Sequence, residues 1–403
     1  IMMKKIYLLA VALAGTLLTS CSDFLDKVPL VVPSSETFLT NQSAVTNYVN
    51  GLYIALPSAG AYGMGIMGEE KNSDNMVAMV YDRRMNGELQ ESIGGVTEWQ
   101  KGYQNLRSVN YFLEYYKVPA AEETAEVLSL KGEAYFFRAY WHYYLLTKFG
   151  SIPVMDKFWD GNATVGGLQI PARDRSAVAQ FILDDLKAAK ELLYSRSKYQ
   201  GLRICKEAAM VMAMRVALFE GTWEKYHKGT DFAAAEYKSD DFLQQVLTLG
   251  DELFQMGITL NTKENDKSVK NIDDAYGNLF NSKDLSATQE VLFWKKYSIA
   301  DNLVHSLNTN LSSGMCDAEG PAGLSQSLVD NYLSVDGNFI DPTAAKFKDF
   351  NESFKDRDGR LLATVMHSDC KYKSMTVKGA KKMLVKAYSE EDKDLINPPQ
   401  TVS

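Results

Sequence analysis

The sequence contains little cysteine and little histidine, and it has no excess of basic residues. Its 403 residues include 4 Cys and 4 His, and neither type recurs at the close spacing of a zinc site or a disulfide framework. Lys and Arg number 43 against 51 Asp and Glu, which gives a formal charge of −8. This balance argues against nucleic acid as a partner, because binding to a phosphate backbone requires a basic surface.

Motifs that would indicate an enzyme are also missing. The sequence has no Gly-x-Ser-x-Gly and no His-Glu-x-x-His. A Gly-x-Gly-x-x-Gly run at 63–68 has neither a strand pattern before it nor a helix start after it, so it indicates a loop. Asp356 and Asp358 resemble the start of a calcium loop, but its twelfth position holds His367 where a Glu is needed. We therefore expect no catalytic residues, no cofactor and no metal ligands.

The N-terminus has the pattern of a secretory signal. Lys4 and Lys5 precede an apolar run at 6–18, and small residues then lead to Cys21. Leu18-Thr19-Ser20-Cys21 resembles a bacterial lipobox, in which the Cys is lipidated and becomes the first residue of the mature chain. We predict a signal peptide at 1–20 and lipidation at Cys21. The alternative is an ordinary signal peptide that ends beside a Cys.

Apolar residues recur at steps of three and four along much of 21–256, which predicts amphipathic helices. The stretch 127–148 is apolar on more than one face, so it should be buried between other helices. A row of small residues in a later stretch should let a neighbouring helix approach closely. The pattern predicts a mostly α fold with a tetratricopeptide-like core of helical hairpins. The helices should begin near Ser34, Trp99, Val127, Asp174, Ala209 and Asp240, and the small residues are Ala209, Ala213, Ala217 and Gly221.

The remaining segments are rich in loop-forming residues. Residues 57–96 contain many Gly, Asn, Asp and Met and predict a long loop insertion in the helical region. Residues 257–403 predict an irregular second region with short strands, including one at 289–294 and a polar loop at 301–323. We therefore divide the chain into a signal peptide at 1–20, an N-terminal helical region at 21–256 and a C-terminal loop-rich region at 257–403.

Short motifs along the chain, taken in order, resemble those of the SusD/RagB family of Bacteroidetes outer-membrane lipoproteins. The last of them has Gly359 where the family usually has Pro. Family members usually close with a further helix that packs on the helical core, so we expect the second region to be truncated at Ser403. The matching stretches are 21–29 (CSDFLDKVP), 72–75 (NSDN), 131–140 (KGEAYFFRAY), 148–153 (KFGSIP), 217–222 (ALFEGT), 289–293 (QEVLF), 328–332 (LVDNY) and 357–361 (RDGRL).

This resemblance implies a lipid-anchored, surface-exposed protein of the outer membrane that binds an oligosaccharide. It further implies delivery of that glycan to a SusC-like TonB-dependent transporter. Alternatives are a RagB-like peptide carrier, a surface hydrolase and a purely structural helical-repeat adaptor.

Sugars bind by stacking on aromatic rings and by hydrogen bonds from Asp, Asn and Arg. For the aromatic candidates the alternative is packing at a domain junction, and for Asp74 it is a loop-capping hydrogen bond. The candidate ligand contacts lie where the resemblance places the family's contacts, or at the entry to the 301–323 loop. The first group is Asp74, Asn75, Arg83 and Trp99, and the second is Trp294 and Tyr297.

Overall fold

The computed structural model describes residues 38–57, 70, 73–78, 86–88, 97–159, 170–262, 265, 272–304, 322–344 and 352–365. These residues are mostly helical, which confirms the predicted fold class. The helices are α1 Gln42–Leu52, α2 Thr97–Tyr115, α3 Ala125–Phe149, α4 Arg175–Leu192, α5 Lys206–His227, α6 Ser239–Gln255, α7 Ile272–Asn281, α8 Gln326–Asn331 and α9 Gly359–Thr364. The strands are β1 Met76–Ala78 and β2 Ala322–Leu324, which pair antiparallel.

Consecutive helices pack as antiparallel hairpins. Trp99, near the start of α2, packs against Phe149 at the end of α3, with 5.1 Å between the ring centroids. Arg175, at the start of α4, pairs with Glu220 near the end of α5. The most buried helix is α3, as its apolar pattern predicted, and it packs against α1, α2 and α4.

The helical hairpins define two ends of the bundle. Gly150 ends α3 with a φ of 69°, in the left-handed region that suits glycine, and lies beside Arg175. We call this the Gly150 end. It also holds the turn between α5 and α6, because Ser239 Oγ donates a hydrogen bond to the Gly221 carbonyl at 2.8 Å. The opposite end, where Gly201 lies between α4 and α5, is the Gly201 end.

Arginine–carboxylate pairs join the helices across the core. Each pair is bidentate, and removing one partner would leave a buried charge uncompensated. The pairs therefore fix which helix faces meet, whatever their net contribution to stability. They are Arg138–Asp185 between α3 and α4, Arg175–Glu220 between α4 and α5, and Arg203–Glu133 between the α4–α5 connection and α3.

Two predicted elements differ from those observed. The first helix begins at Gln42, because Asn41 caps it by accepting a hydrogen bond from the Ala44 N–H at 3.0 Å; a start near Ser34 is wrong. Residues 289–294 do not form the predicted strand. Their apolar run at 291–294 forms a half-buried segment, in which a side chain and not a neighbouring strand binds the Val291 carbonyl.

That side chain is the buried guanidinium of Arg196. Its Nε donates to the Val291 carbonyl at 2.7 Å. Its Nη2 lies 2.9–3.1 Å from three carbonyl oxygens of the preceding residues, 285–288. The main-chain N–H of Arg196 donates to Glu207 Oε2 at 2.7 Å, at the start of α5. Arg196 thus attaches 285–291 to the Gly201 end. The carbonyl groups bound by Nη2 belong to Leu285, Ser286 and Thr288.

The observed strands lie at segments that the sequence predicted as loops. In the register of the pair, Met76 lies opposite Leu324 and Ala78 lies opposite Ala322. The Ser325 N–H continues the contact by donating to the Asn75 carbonyl at 2.9 Å. The loop insertion at 57–96 is therefore joined to the second region of the chain.

Candidate functional site

The predicted ligand contacts fall at separate places. Arg83, and also the predicted lipidation site Cys21, lie outside the described residues. Asp74 and Asn75 lie beside β1. The remaining predicted contacts are the aromatic residues Trp99, Trp294 and Tyr297.

Asp74 and Asn75 are held by hydrogen bonds at the edge of the small sheet. The Asn75 side-chain amide donates to Glu70 Oε2 at 3.0 Å. The Ser325 hydroxyl donates to the main-chain carbonyl of Asp74. Because the side chain of Asp74 is exposed and its main chain makes this contact, its carboxylate faces solvent from a fixed backbone position.

Trp99 is a partly exposed aromatic residue at the Gly150 end. Its side chain lies 4.8 Å from the Tyr103 ring and edge-on to Phe149, and the residue remains 37% exposed. The Tyr103 hydroxyl donates to the Pro153 carbonyl at 2.8 Å. Trp99 is therefore supported by ordered neighbours and still presents part of its surface to solvent.

Trp294 is packed at the Gly201 end and is only 9% exposed. Its indole N–H donates to the Gln200 carbonyl at 2.9 Å, and its main-chain N–H donates to the Gly201 carbonyl at the same distance. Gly201 has a φ of 79°, and a Cβ there would lie 3.0 Å from the indole ring. This geometry favours the packing alternative for Trp294. Tyr297 is half-buried, with the Lys295 ammonium 5.4 Å from its ring centroid.

Trp99 and Trp294 lie at opposite ends of the bundle. Phe293 packs against Tyr53, whose hydroxyl donates to Glu133 Oε2 at 2.7 Å in the first half of α3. Trp99 contacts Phe149, sixteen residues further along α3, which corresponds to about 24 Å at the rise of an α-helix. The structure therefore does not bring these two tryptophans into one binding surface.

His142 has the most strongly perturbed surroundings of the described histidines, yet its contacts are those of a core residue. It is fully buried, its Nδ1 lies 2.9 Å from the Arg138 carbonyl, and its Nε2 accepts the Met155 N–H at 3.1 Å. Burial lowers its pKa to about 3. In the part of the chain that the structure describes, no three His, Cys, Asp or Glu side chains lie together as a metal ion would require.

The turn between α5 and α6 carries an aromatic cluster that the sequence analysis missed. We call it the turn platform and define it as Trp223, Tyr226, His227 and Phe232. The spacing of the first three residues, i, i+3 and i+4, places them on one face of α5. That spacing, followed shortly by Phe232, was the available signal in the sequence.

A cleft of about 550 Å³ lies between α4, α5 and α6. Its floor includes Ala209 and Ala213, from the predicted row of small residues, and its rim includes Asp184 and Lys187. It is lined by neither an aromatic ring nor a predicted ligand contact. It therefore lacks the stacking surface typical of a sugar site.

Comparisons with known families agree with the resemblance read from the motifs. Residues 23–218 match a family model described as "Starch-binding associating with outer membrane", and residues 281–402 match one described as "SusD family". Together the two matches cover most of the chain, in the order of its two regions. The chain belongs to the SusD/RagB family, as predicted.

Individual relatives support the same fold. A SusD-like protein of Formosa agariphila is 23% identical over 223 residues, which are 51% of this chain and 41% of the relative. Two crystal structures from Bacteroides fragilis are also similar. The first is a SusD-like protein, with a TM-score of 0.61 at 22% identity. The match covers 85% of this chain and 64% of that protein's chain. The second is a SusD-like carbohydrate-binding protein, with a TM-score of 0.59 at 18% identity. The match covers 81% of this chain and 60% of that protein's chain.

The chain spans less than two thirds of the length of each of these relatives. At these identities the structural likeness concerns the fold. Among the helices of the described residues, none combines the length and the apolar character needed to cross a bilayer.

Proposed function

We propose that this chain is a cell-surface glycan-binding lipoprotein of the outer membrane. It captures an oligosaccharide and passes it to a SusC-like TonB-dependent transporter, with acyl chains on Cys21 as its anchor. The observation that carries the proposal is membership of a family whose matching model is described by starch binding and association with the outer membrane. The lipobox-like sequence at the N-terminus supports the same location.

The proposed chemistry is binding without bond-making. Trp99 offers an aromatic surface on a rigid helix end, and the exposed carboxylate of Asp74 offers an acceptor for sugar hydroxyls. Asn75, Arg83 and Tyr297 complete the proposed set of contacts. Trp294 is not part of this set, because its ring is packed at the Gly201 end and its N–H is already bound.

The two regions of the chain have separate proposed roles. The helical region at 21–256 would dock on the transporter through its hairpins. The loop-rich region at 257–403 and the insertion at 57–96 would hold the ligand against the mouth of the transporter. The β1–β2 pairing supports this division because it joins the insertion to the second region.

A panel of glycans and a pool of peptides test the proposed ligand class. We expect the purified chain to retain an oligosaccharide and Trp99→Ala to weaken that affinity about fivefold, since an aromatic contact contributes roughly 1 kcal/mol. Phe254→Ala is a matched control, because this exposed ring lies near the far end of α6 from Trp99 and is not among the predicted contacts. Retention of peptides alone would favour the RagB-like carrier, and new reducing ends would indicate a hydrolase.

Affinity purification from outer-membrane extracts tests the proposed partner. The tagged lipoprotein should bring down a large TonB-dependent transporter. Recovery of none, together with a periplasmic location of the protein, would overturn the delivery step.

A further inference from the structure

The turn platform presents aromatic rings to solvent. Tyr226 is 74% exposed and Phe232 is 66% exposed. Large apolar side chains usually lie against a core or a partner, so neighbouring exposed rings on one turn indicate a contact surface.

The exposed ring of Phe232 lies edge-on to His227, with 6.2 Å between the centroids, and His227 belongs to a rigid base. The Arg175 guanidinium lies 3.9 Å from the Trp223 ring centroid, and the His227 ring stacks on the same indole at 4.0 Å with 15° between the planes. Arg175 is itself fixed by two hydrogen bonds of 2.8 and 2.9 Å to the buried carboxylate of Glu220. The Trp223 indole N–H donates to the Phe232 carbonyl at 2.9 Å, so the base is tied to the turn.

The turn itself is fixed by further hydrogen bonds. The Thr230 hydroxyl donates to the His227 carbonyl at 2.8 Å and accepts the Phe232 N–H at 3.2 Å. The Ala235 N–H donates to Asp174 Oδ1 at 2.9 Å, which holds the turn to the start of α4. Little conformational entropy is therefore lost when a ligand contacts these rings.

The chemistry of the surface fits a sugar. Pyranose rings present C–H faces that stack on aromatic rings and hydroxyl groups that need polar neighbours. Tyr226 supplies a phenol, and Lys225, Lys228 and Asp231 are exposed on the same turn. A helix-binding surface would instead be a continuous apolar groove.

The turn platform lies outside both family matches. One match ends at residue 218 and the other begins at 281, so residues 219–280 are covered by neither. The two family matches therefore assign no role to these rings.

We infer that the turn platform is a second glycan-contact surface, with Tyr226 and Phe232 as stacking rings and with Trp223 and His227 as the fixed base beside Phe232. It lies at the Gly150 end, the same end of the bundle as Trp99. The inference rests on the proposed function, because it assumes that the chain binds a glycan.

The test compares Tyr226→Ala/Phe232→Ala with wild type, using maltoheptaose first and then any other glycan that wild type retains. Both side chains are exposed, so the double variant should fold normally, as checked by an unchanged melting temperature. We expect its dissociation constant to rise about tenfold, from two lost aromatic contacts. The matched control Phe254→Ala should bind as wild type does.

The outcomes separate this inference from the proposed function. If wild type binds a glycan and the double variant binds it equally well, the platform is not a glycan surface and the proposed function stands. If wild type binds no glycan, both fail. If glycan affinity is unchanged but the transporter no longer co-purifies with the double variant, the platform contacts protein and the inference is wrong.

Discussion

His142 lies in the middle of α3 with both ring nitrogens engaged. The Met155 N–H can only donate, so Nε2 must accept and Nδ1 must carry the proton that is donated to the Arg138 carbonyl. The neutral ring therefore satisfies both neighbours. Protonation would place a second N–H against the Met155 N–H in a fully buried site.

This geometry predicts a pH dependence of stability. The pKa of His142 is lowered to about 3 by burial, below the 6.5 of a free histidine, so unfolding takes up a proton between these values. Stability should therefore be lost as the pH falls from 6.5 towards 3, by up to about 1.4 kcal/mol per pH unit from this residue. Urea unfolding at several pH values measures it, with His142→Gln as the reference that lacks this contribution. Parallel curves for the two proteins would contradict the prediction.

The burial of the helix that holds His142 could be predicted from the sequence, but the different exposures of Trp99 and Trp294 could not. His142 lies within a strongly periodic apolar helix, so its burial followed from local pattern, and the structure confirms it. Trp99 and Trp294 both adjoin loops in the sequence. Their exposures differ because Trp294 meets the distant Gln200–Gly201 backbone, a contact that no local pattern reveals.

At the scale of elements, the row of small residues on α5 has a testable consequence. A Cβ at Gly221 would lie 2.9 Å from Leu243 Cγ and 3.2 Å from Phe242 Cβ, both on α6. Gly221→Ala should therefore lower the free energy of unfolding by roughly 1–3 kcal/mol through overpacking, despite the better helix propensity of Ala.

The matched control is Gly51→Ala in α1, where a Cβ would meet no atom within 4 Å. Propensity alone should then raise the free energy of unfolding by about 0.5 kcal/mol. Chemical denaturation of both variants measures the difference. Equal effects of the two substitutions would show that the approach of α5 and α6 does not depend on Gly221.

Arg196 should act as the attachment point of residues 285–291. Its guanidinium binds several carbonyl oxygens at once, and an ammonium cannot reproduce that planar arrangement. Arg196→Lys should therefore speed amide hydrogen exchange in 285–294 by at least about tenfold, through local opening. Exchange in α3 should not change. The exposed Arg215→Lys on α5 is the control, and unchanged exchange in 285–294 of the Arg196 variant would contradict the prediction.

Most helices could be predicted from the sequence, and the errors have a common cause. The bounds of α3 and α4 followed from apolar spacing together with Gly150 and the Asp174 cap. The segment 289–294 has the apolar run of a strand, but Arg196 binds the carbonyl groups of Thr288 and Val291 and no described strand pairs with the segment. The pairing of β1 with β2 joins segments more than 200 residues apart, so local pattern contained no sign of it.

At the scale of the whole molecule, the order of weak motifs predicted more than any single site. None of the motifs is specific alone, but their order along the chain predicted the family that the comparisons show. The ligand surface could not be predicted in the same way. It depends on which helix ends meet, as the exposed rings at the Gly150 end illustrate.

The proposed lipid anchor provides the last prediction. Each buried methylene of an acyl chain contributes about 0.8 kcal/mol, so several chains on one cysteine hold a protein stably on a membrane. Cys21→Ser should move the protein from the membrane fraction to the soluble fraction, while the melting temperature and glycan affinity of the purified protein stay unchanged. Cys205→Ser is the matched control. Cys205 is buried at the start of α5, with its thiol 3.4 Å from the Leu292 carbonyl, so this variant should remain on the membrane. Mass spectrometry of the mature protein tests the lipidation directly. An unmodified thiol at Cys21, or cleavage at another position, would rule out the anchor on which the proposed delivery to a transporter depends.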